Sequence, residues 1–350
     1  MENGVKGGAR IPVGVVGTGG MGGMHARCLH RKVAGAVVAA VSDVDSERAA
    51  KVAGECGGAG VFGDALELVR SDEVEAVVVA SPDATHAELV LECLRLGKPV
   101  LCEKPLATSP GEALGIVEAE VELGRKLVQV GFMRRYDPQH VDVKNVVASG
   151  EIGAPFLFKG WHRNAEIQPG ADSEWVVINA GIHDIDSARW MLDGEVEEVF
   201  VRGANTTGSE DDVLDLQLVQ LSFEGGRLAT IEVYVEAGFG YEVGVEVVGA
   251  RGTAHTAPPS GATVRLERAF AQKADGDWLD RFEPAYTIEL QQWTESISAR
   301  QPPTPDAWDG YASLVVAEAC IASIRSGRPE PVSVPEKPAL YAGEASGVAR

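Results

Sequence analysis

Between residues 100 and 107 the chain reads VLCEKPLA, an apolar strand that ends in Glu103, Lys104 and Pro105. A lysine held at a strand end beside a cationic cofactor ring has its pKa lowered by burial and by that cation. It can then take a proton from an alcohol as hydride leaves the same carbon. A surface lysine in a turn is the other reading, and position alone leaves both open. A second cluster, NAGIHDIDSARWML, holds His183, Asp184 and Asp186, with Asn179 four residues before the histidine on the first turns of an expected helix. A histidine beside acids serves as metal ligand, cap, proton carrier or buried structural residue. No second histidine lies near it in sequence, so a metal site is not expected. FMRRYDP and GWHRNAE concentrate Arg134, Arg135, Tyr136, His162, Arg163 and Asn164 in short stretches, a supply of groups that suits hydrogen bonding to a polyol. Each of these taken singly is also an ordinary surface residue.

The elements that must position these residues are legible in the first 131 positions. Short apolar runs recur as IPVGVV, AVVAAVS, VEAVVVAS, KPVLCE and KLVQVGF, and each of the first four is followed by a helical stretch. In THAELVLECLRLG, Leu89, Cys93 and Leu96 share one face. Ser46, Thr85 and Ser109 are expected N-caps, and Gly97 and Gly124 expected stops. Strands apolar on both faces belong in a parallel sheet covered on both sides by helices. Cys102, Glu103 and Lys104 then lie at its carboxyl edge, where doubly wound folds bind ligands.

The first strand runs into VGVVGTGGMGGMH, which places Gly17, Gly19 and Gly22 at G-x-G-x-x-G spacing on a strand-to-helix turn. Such glycines allow a tight turn and close approach to a pyrophosphate on the helix N-terminus. Asp43 ends the second strand, where an acidic side chain accepts the ribose hydroxyls and repels a 2′-phosphate. No arginine follows until Arg48, so NAD is favoured over NADP.

After residue 131 the strands lengthen and alternate. In VLDLQLVQLSF, Leu214, Leu216 and Leu218 point one way and Asp215, Gln217 and Val219 the other; farther on, Ile231, Val233 and Val235 oppose Glu232, Tyr234 and Glu236. This pattern predicts an open, mainly antiparallel sheet with one face on helices. The outer face either meets solvent or pairs with another subunit. RQPPTPDAW is expected as a local loop before a last helix near residues 306 to 327. The expected organisation is a Rossmann domain over 1–131 and an α+β substrate-binding and oligomerisation domain over 132–350.

At 350 residues, 45% hydrophobic and 24% charged, the composition is that of a soluble two-domain globule, with no apolar run of membrane-spanning length and no signal-like N-terminus. A formal charge of −21 argues against nucleic acid or anionic membrane partners. Five cysteines, Cys28, Cys56, Cys93, Cys102 and Cys320, without a C-x-x-C pair, are expected as buried thiols of a cytoplasmic protein.

GTGGMG, CEKPLA and GIHDIDSARWML together resemble the glucose-fructose oxidoreductase, inositol dehydrogenase and MocA-like (Gfo/Idh/MocA) superfamily along nearly the whole chain. EVELGRKLVQVGFMRRYDP, HRN, DGYASLVVAEAC and VPEKPALY are similar to segments of its bacterial inositol 2-dehydrogenase branch. The resemblance implies NAD-dependent oxidation of a ring hydroxyl of a cyclitol, as in myo-inositol to scyllo-inosose, by a homotetramer or dimer paired through the open sheet. It implies Lys104 and His183 as the proton-transfer residues with Asn179 beside them. Arg134, His162, Asn164, Asp186 and Tyr241 are implied to line the polyol site. Gly17, Gly19, Gly20, Met21, Gly22, Asp43, Ser81, His86, Glu103 and Lys104 are the implied cofactor contacts.

Inositol dehydrogenases carry an aspartate four residues before the histidine, and this chain has Asn179 there. An amide accepts a hydrogen bond from a substrate hydroxyl, but it has no charge to hold His183 as a cation or to raise a lysine pKa. Use of Lys104 and His183 alone, a different polyol or sugar, and weak catalysis all follow as open consequences. A non-catalytic dinucleotide sensor has no need of Lys104 and His183 together; a related aldose dehydrogenase, ketone reductase or NAD-assisted hydrolase keeps both and differs in its pocket.

Overall fold

The computed structural model describes residues 10–208, 212–257, 264–266, 269–271 and 276–342. The chain divides into two compact units: one takes residues up to 132 together with 286–311 and those from 336 on, the other 133–285 and 312–335.

The first unit holds six parallel strands, β1 (Ile11–Val16), β2 (Ala36–Ser42), β3 (Gly60–Phe62), β4 (Ala76–Val79), β5 (Val100–Cys102) and β6 (Val128–Val130), in the order β3-β2-β1-β4-β5-β6. That order is the doubly wound one, with the chain reversing direction across the sheet between β1 and β4. The connecting helices are α1 (Gly20–Arg31), α2 (Ser46–Glu55), α3 (Ala65–Arg70), α4 (His86–Arg95) and α5 (Pro110–Leu123). All four residues of β4 are buried, the signature of a strand covered on both faces.

Local chemistry accounts for the helix ends. Ser109 caps α5 by accepting from the Glu112 amide, Pro110 supplies the first helical position, and Gly124 closes the helix in the left-handed region at φ 71°. Helix α2 is capped by Asp45 instead of the expected Ser46, its carboxylate accepting from the Arg48 amide at 3.0 Å. Thr85 stands at the N-cap of α4, but its hydroxyl donates to the Pro82 carbonyl and makes no capping bond. Strand β3 was not anticipated, because three residues at a sheet edge, two exposed and one half-buried, carry no apolar period.

In the second unit, α6 (Pro138–Ala148) precedes β7 (Pro155–Arg163). A continuous helical run follows, made of α7 (Ser173–Trp175), a π-helical turn over Val176–Gly181 and α8 (Ile182–Leu192). Then come β8 (Val196–Ala204), β9 (Leu216–Phe223), β10 (Leu228–Tyr234), β11 (Glu242–Gly249), β12 (Thr253–His255) and the short pair β13 (Val264–Leu266) and β14 (Ala269–Ala271). Helices α9 (Trp278–Ala299) and α10 (Ala307–Ser326) each contribute residues to both units, and β15 (Glu330–Pro331) and α11 (Ala339–Ala342) end the described chain.

The main sheet of this unit runs β12-β11-β7-β10-β9-β8-β15, antiparallel except for the β7 to β10 pair. Its inner face packs Phe158, Leu221, Phe223, Ile231 and Val245 against Ile185 and Met191 of α8 and Val316 and Cys320 of α10. On β9 the inward residues are Gln217, Val219, Leu221 and Phe223, while Leu218 is 48% exposed. The outer face mixes Leu218 and Leu228 with ion pairs of Arg163 to Glu232 and Glu242 and of Lys159 to Glu246. None of the described helices is long and apolar enough to cross a membrane. All five cysteines are buried and none forms a disulfide.

Candidate active site

Strand β1 delivers the chain into the glycine turn. Gly17 takes φ +83°, and an added Cβ would lie 2.5 Å from the Ala80 carbonyl oxygen. A Cβ on Gly22 would overlap the carbonyl oxygen of Gly17, so the start of α1 lies directly on the turn. Around Gly19 and Gly20 the opposite holds, since an added Cβ meets nothing within 4 Å. Gly19 is the N-cap of α1 without a side-chain cap, no acidic residue occupies the first turn, and Met21 is half-buried there. Uncapped amides at the positive end of a helix, fronted by open space, suit a phosphate. These residues therefore fit a dinucleotide.

Asp43 ends β2 on the same edge. Its carboxylate accepts from the Thr18 amide (2.7 Å) and hydroxyl (2.8 Å), from the Asp45 amide (2.9 Å) and from the Arg48 guanidinium (2.6 and 3.1 Å). Burial on its own would raise the Asp43 pKa, but Arg48 and the amides of Asp45 and Thr18 carry it well below the usual carboxylate range. The carboxylate is thus fixed and charged, and Arg48 lies on it, a pairing that spacing did not indicate.

The Glu-Lys-Pro turn leaves β5 beside these groups' sheet edge. His86 is buried with its two ring nitrogens facing the carbonyls of Pro105 (2.8 Å) and Ser81 (2.9 Å), which ties this turn to the end of β4; the Ser81 hydroxyl is 2.6 Å from that of Thr85. Glu103 is buried, Lys104 is half-buried, and the Lys104 amide donates to Glu103 Oε2 at 3.3 Å. His25 of α1, which the sequence did not mark, lies 2.7 Å from Glu103 Oε1 through Nε2.

The second unit assembles a buried polar network from elements far apart in sequence. Arg134, in the 3-10 turn Met133–Tyr136, donates to Asp184 Oδ1 at 2.6 Å and to His162 Nδ1 at 3.0 Å. Because Nδ1 accepts there, the proton of the neutral ring sits on Nε2 and is donated to Asn164 Oδ1 at 3.1 Å. Burial, aided by Arg134, holds the His162 pKa down, in keeping with a neutral ring. Burial would raise the Asp184 pKa, yet the Arg134 guanidinium keeps it below its usual value. Tyr241 meets His162 edge to face at 6.0 Å, and burial pushes its hydroxyl pKa up, so it remains a phenol.

Asp186, implied as a substrate contact, holds the guanidinium of Arg135 in a two-point pair at 2.6 and 3.0 Å. Consecutive arginines thus pair with alternate aspartates of α8, an arrangement in which Asp184 and Arg135 are as deeply used as their neighbours. Removing one partner from such a buried pair typically costs about 3 to 5 kcal/mol. Asn179 is half-buried in the π-helical turn and His183 is buried in the first turn of α8. Wide turns of this kind recur at functional sites. The network offers a neutral imidazole, an amide and a phenol, held by paired charges, which is chemistry for binding hydroxyl groups.

Comparison with known proteins places both units. Residues 11–132 match the family model described as "Oxidoreductase family, NAD-binding Rossmann fold", and residues 144–334 match its "C-terminal alpha/beta domain". The chain is 64% identical over 334 residues to an inositol 2-dehydrogenase of Rubrobacter xylanophilus, covering 95% of this chain and 96% of that one. It is 44% identical over 331 residues to inositol 2-dehydrogenase 2 of Saccharopolyspora erythraea, covering 94% and 98%. Among solved structures, the myo-inositol dehydrogenase of Lactobacillus casei in complex with NAD(H) and myo-inositol superposes with a TM-score of 0.91 at 32% identity, over 95% of this chain and 99% of that one.

Proposed function

The chain belongs to the Gfo/Idh/MocA oxidoreductase family, whose first domain binds NAD, and from that premise we propose that it oxidises a ring secondary hydroxyl of a cyclitol, myo-inositol or an isomer, to the ketone. The observation that carries the reading is the 64% identity to an inositol 2-dehydrogenase along 95% of the chain. NAD supplies the hydride acceptor when bound. The glycine turn and the α1 N-terminus hold its phosphates, and Asp43 accepts from its ribose. Lys104 takes the hydroxyl proton as the general base, and His183 is the second proton-transfer residue. Asn179 accepts from a substrate hydroxyl without adding charge. His162, Asn164 and Tyr241, oriented by Arg134 and Asp184, bind further hydroxyls of the ring. The protein works in the cytoplasm as a homotetramer or dimer paired through the outer face of the second unit's sheet, a reading supported by the exposed Leu218 and Leu228 there.

The test is reduction of NAD or NADP, followed at the reduced-nicotinamide absorbance band, with a panel of inositol isomers and aldoses. Turnover with NAD and myo-inositol or a close isomer is expected. A protein that binds NAD but turns over nothing in the panel, or turns over only aldoses, would overturn the cyclitol reading.

A further inference from the structure

Two buried ionisable side chains flank Glu103 without a part in the chemistry proposed above. His25, on the second turn of α1, is 0% exposed; Nε2 lies 2.7 Å from Glu103 Oε1, and the ring packs edge-on against Tyr286 at 5.8 Å. Glu289, three residues beyond Tyr286 on α9, is 0% exposed, and neither of its carboxyl oxygens has a hydrogen-bond partner among the described residues. A buried carboxylate without donors is far costlier than a neutral acid. Burial first, and the charge of Glu103 second, push the Glu289 pKa well above the usual carboxyl range. Of these two carboxyl groups Glu103 is the one supplied with a side-chain donor, His25.

Glu103 is also held against movement. A Cβ on Gly131 would lie 2.8 Å from Glu103 Oε2, so the carboxylate fills the space that glycine leaves, and Oε2 accepts the Lys104 amide at 3.3 Å. Other titratable groups near this strand end are Tyr286 against the His25 ring, Cys102, whose thiol pKa burial pushes well up, Asp83 beyond it, and His86 with both nitrogens on carbonyls. Among these, only His25 donates to the Glu103 carboxylate from outside its own strand end.

We propose that His25 is a positioning residue for Lys104, acting through the Glu103 carboxylate. Its N–H holds the Glu103 carboxylate in one rotamer beside the backbone of Lys104. Without that donor the buried carboxylate loses its fixed place beside Lys104, its field on the lysine is lost, and Lys104 gives up its proton at lower pH. The catalytic consequence rests on the reading of Lys104 as the base; the charge relation does not.

The test is competitive labelling of the full-length protein with acetic anhydride across pH, with the Lys104 midpoint read by mass spectrometry. His25→Phe, which keeps ring packing and removes the donor, should lower the midpoint by about one unit. The acid limb of the kcat pH profile should move down with it, with the KM for the cyclitol within about twofold. His25→Gln, whose Nε2 can still donate to Glu103, should restore both, and Glu289→Gln should leave the midpoint in place. If His25→Phe does not fold, His25→Asn, too short to reach Glu103, takes its place. An unmoved midpoint in the donor-free variant, a His25→Gln shift as large as that of His25→Phe, or a shift in Glu289→Gln would each overturn the proposal. If Lys104→Met keeps wild-type turnover, the base assignment fails instead, while the labelling midpoints still decide the role of His25.

Discussion

Gly19 and Gly22 sit three residues apart in one motif, and the structure gives them opposite expected costs. Gly22→Ala places a methyl where the Gly17 carbonyl oxygen already is, with the Ala80 Cβ 3.2 Å away on the other side. Helix α1 must move off β1 to admit it, an overpacking cost of about 3 kcal/mol. For a unit of this size that corresponds to a fall in Tm of roughly 6 to 12 °C. Gly19→Ala meets nothing within 4 Å, and the backbone there, φ −65° and ψ −157°, is open to alanine. Its cost is that of a poorer N-cap, about 1 kcal/mol or less. Yet the methyl fills the cradle in front of the uncapped amides, displacing one phosphate hydrogen bond of about 1.5 to 3 kcal/mol. NAD affinity should fall roughly ten- to hundredfold. Differential scanning fluorimetry with and without NAD, together with calorimetric titration of NAD, separates the two effects. If Gly19→Ala bound NAD like wild type, or if the two variants lost stability and affinity in step, the division between a packing glycine and a phosphate glycine would be wrong.

Burial raises the pKa of Glu120 from 4.5 to about 7, although it accepts from the Leu127 and Val128 amides and from the Tyr341 hydroxyl. The native state then holds a proton that the unfolded state releases, so this contribution is whole below 4.5 and lost as pH rises through about 7. Between about pH 5 and pH 7.5 the linkage amounts to about 2 kcal/mol, and Glu120→Gln should remove it; a wild-type minus Glu120→Gln difference in urea midpoint that ignores pH would refute the assignment. Asp43→Ser removes the fixed carboxylate and frees Arg48 to meet a 2′-phosphate, so kcat/KM for NADP relative to NAD should rise at least about tenfold, and an unchanged ratio would show that Asp43 does not set cofactor choice. Asn179→Asp adds a negative charge four residues before His183 and should move the acid limb of the pH profile upward by about half a unit or more. A fixed limb would count against Lys104 titrating under that position's control.

Short-range patterns settled much of this protein. Five strands of the parallel sheet were legible because each is an apolar run bounded by turn residues, and the dinucleotide turn because its glycines, the strand before it and Asp43 obey one spacing. The alternation of β10, with Ile231 and Val233 inward, needed only the period of a strand. Family resemblance likewise lay in contiguous motifs. Tertiary structure alone decided whatever depends on side chains meeting across the chain. Ser46 and Asp45 are both competent caps, and only the backbone turn selected Asp45. Composition suits either face of β9 to the core, since both carry apolar residues, and packing against α8 and α10 chose Val219, Leu221 and Phe223 over Leu216 and Leu218. Arg134 and Arg135 are adjacent and alike in sequence, yet one is matched to Asp184 and the other to Asp186. His25 and Glu103 are 78 residues apart, and Glu289 reads as one more polar position on a helix. No period or motif encodes such pairs; they exist because folding brings α1, β5 and α9 to one sheet edge and removes the water that would otherwise have served each group.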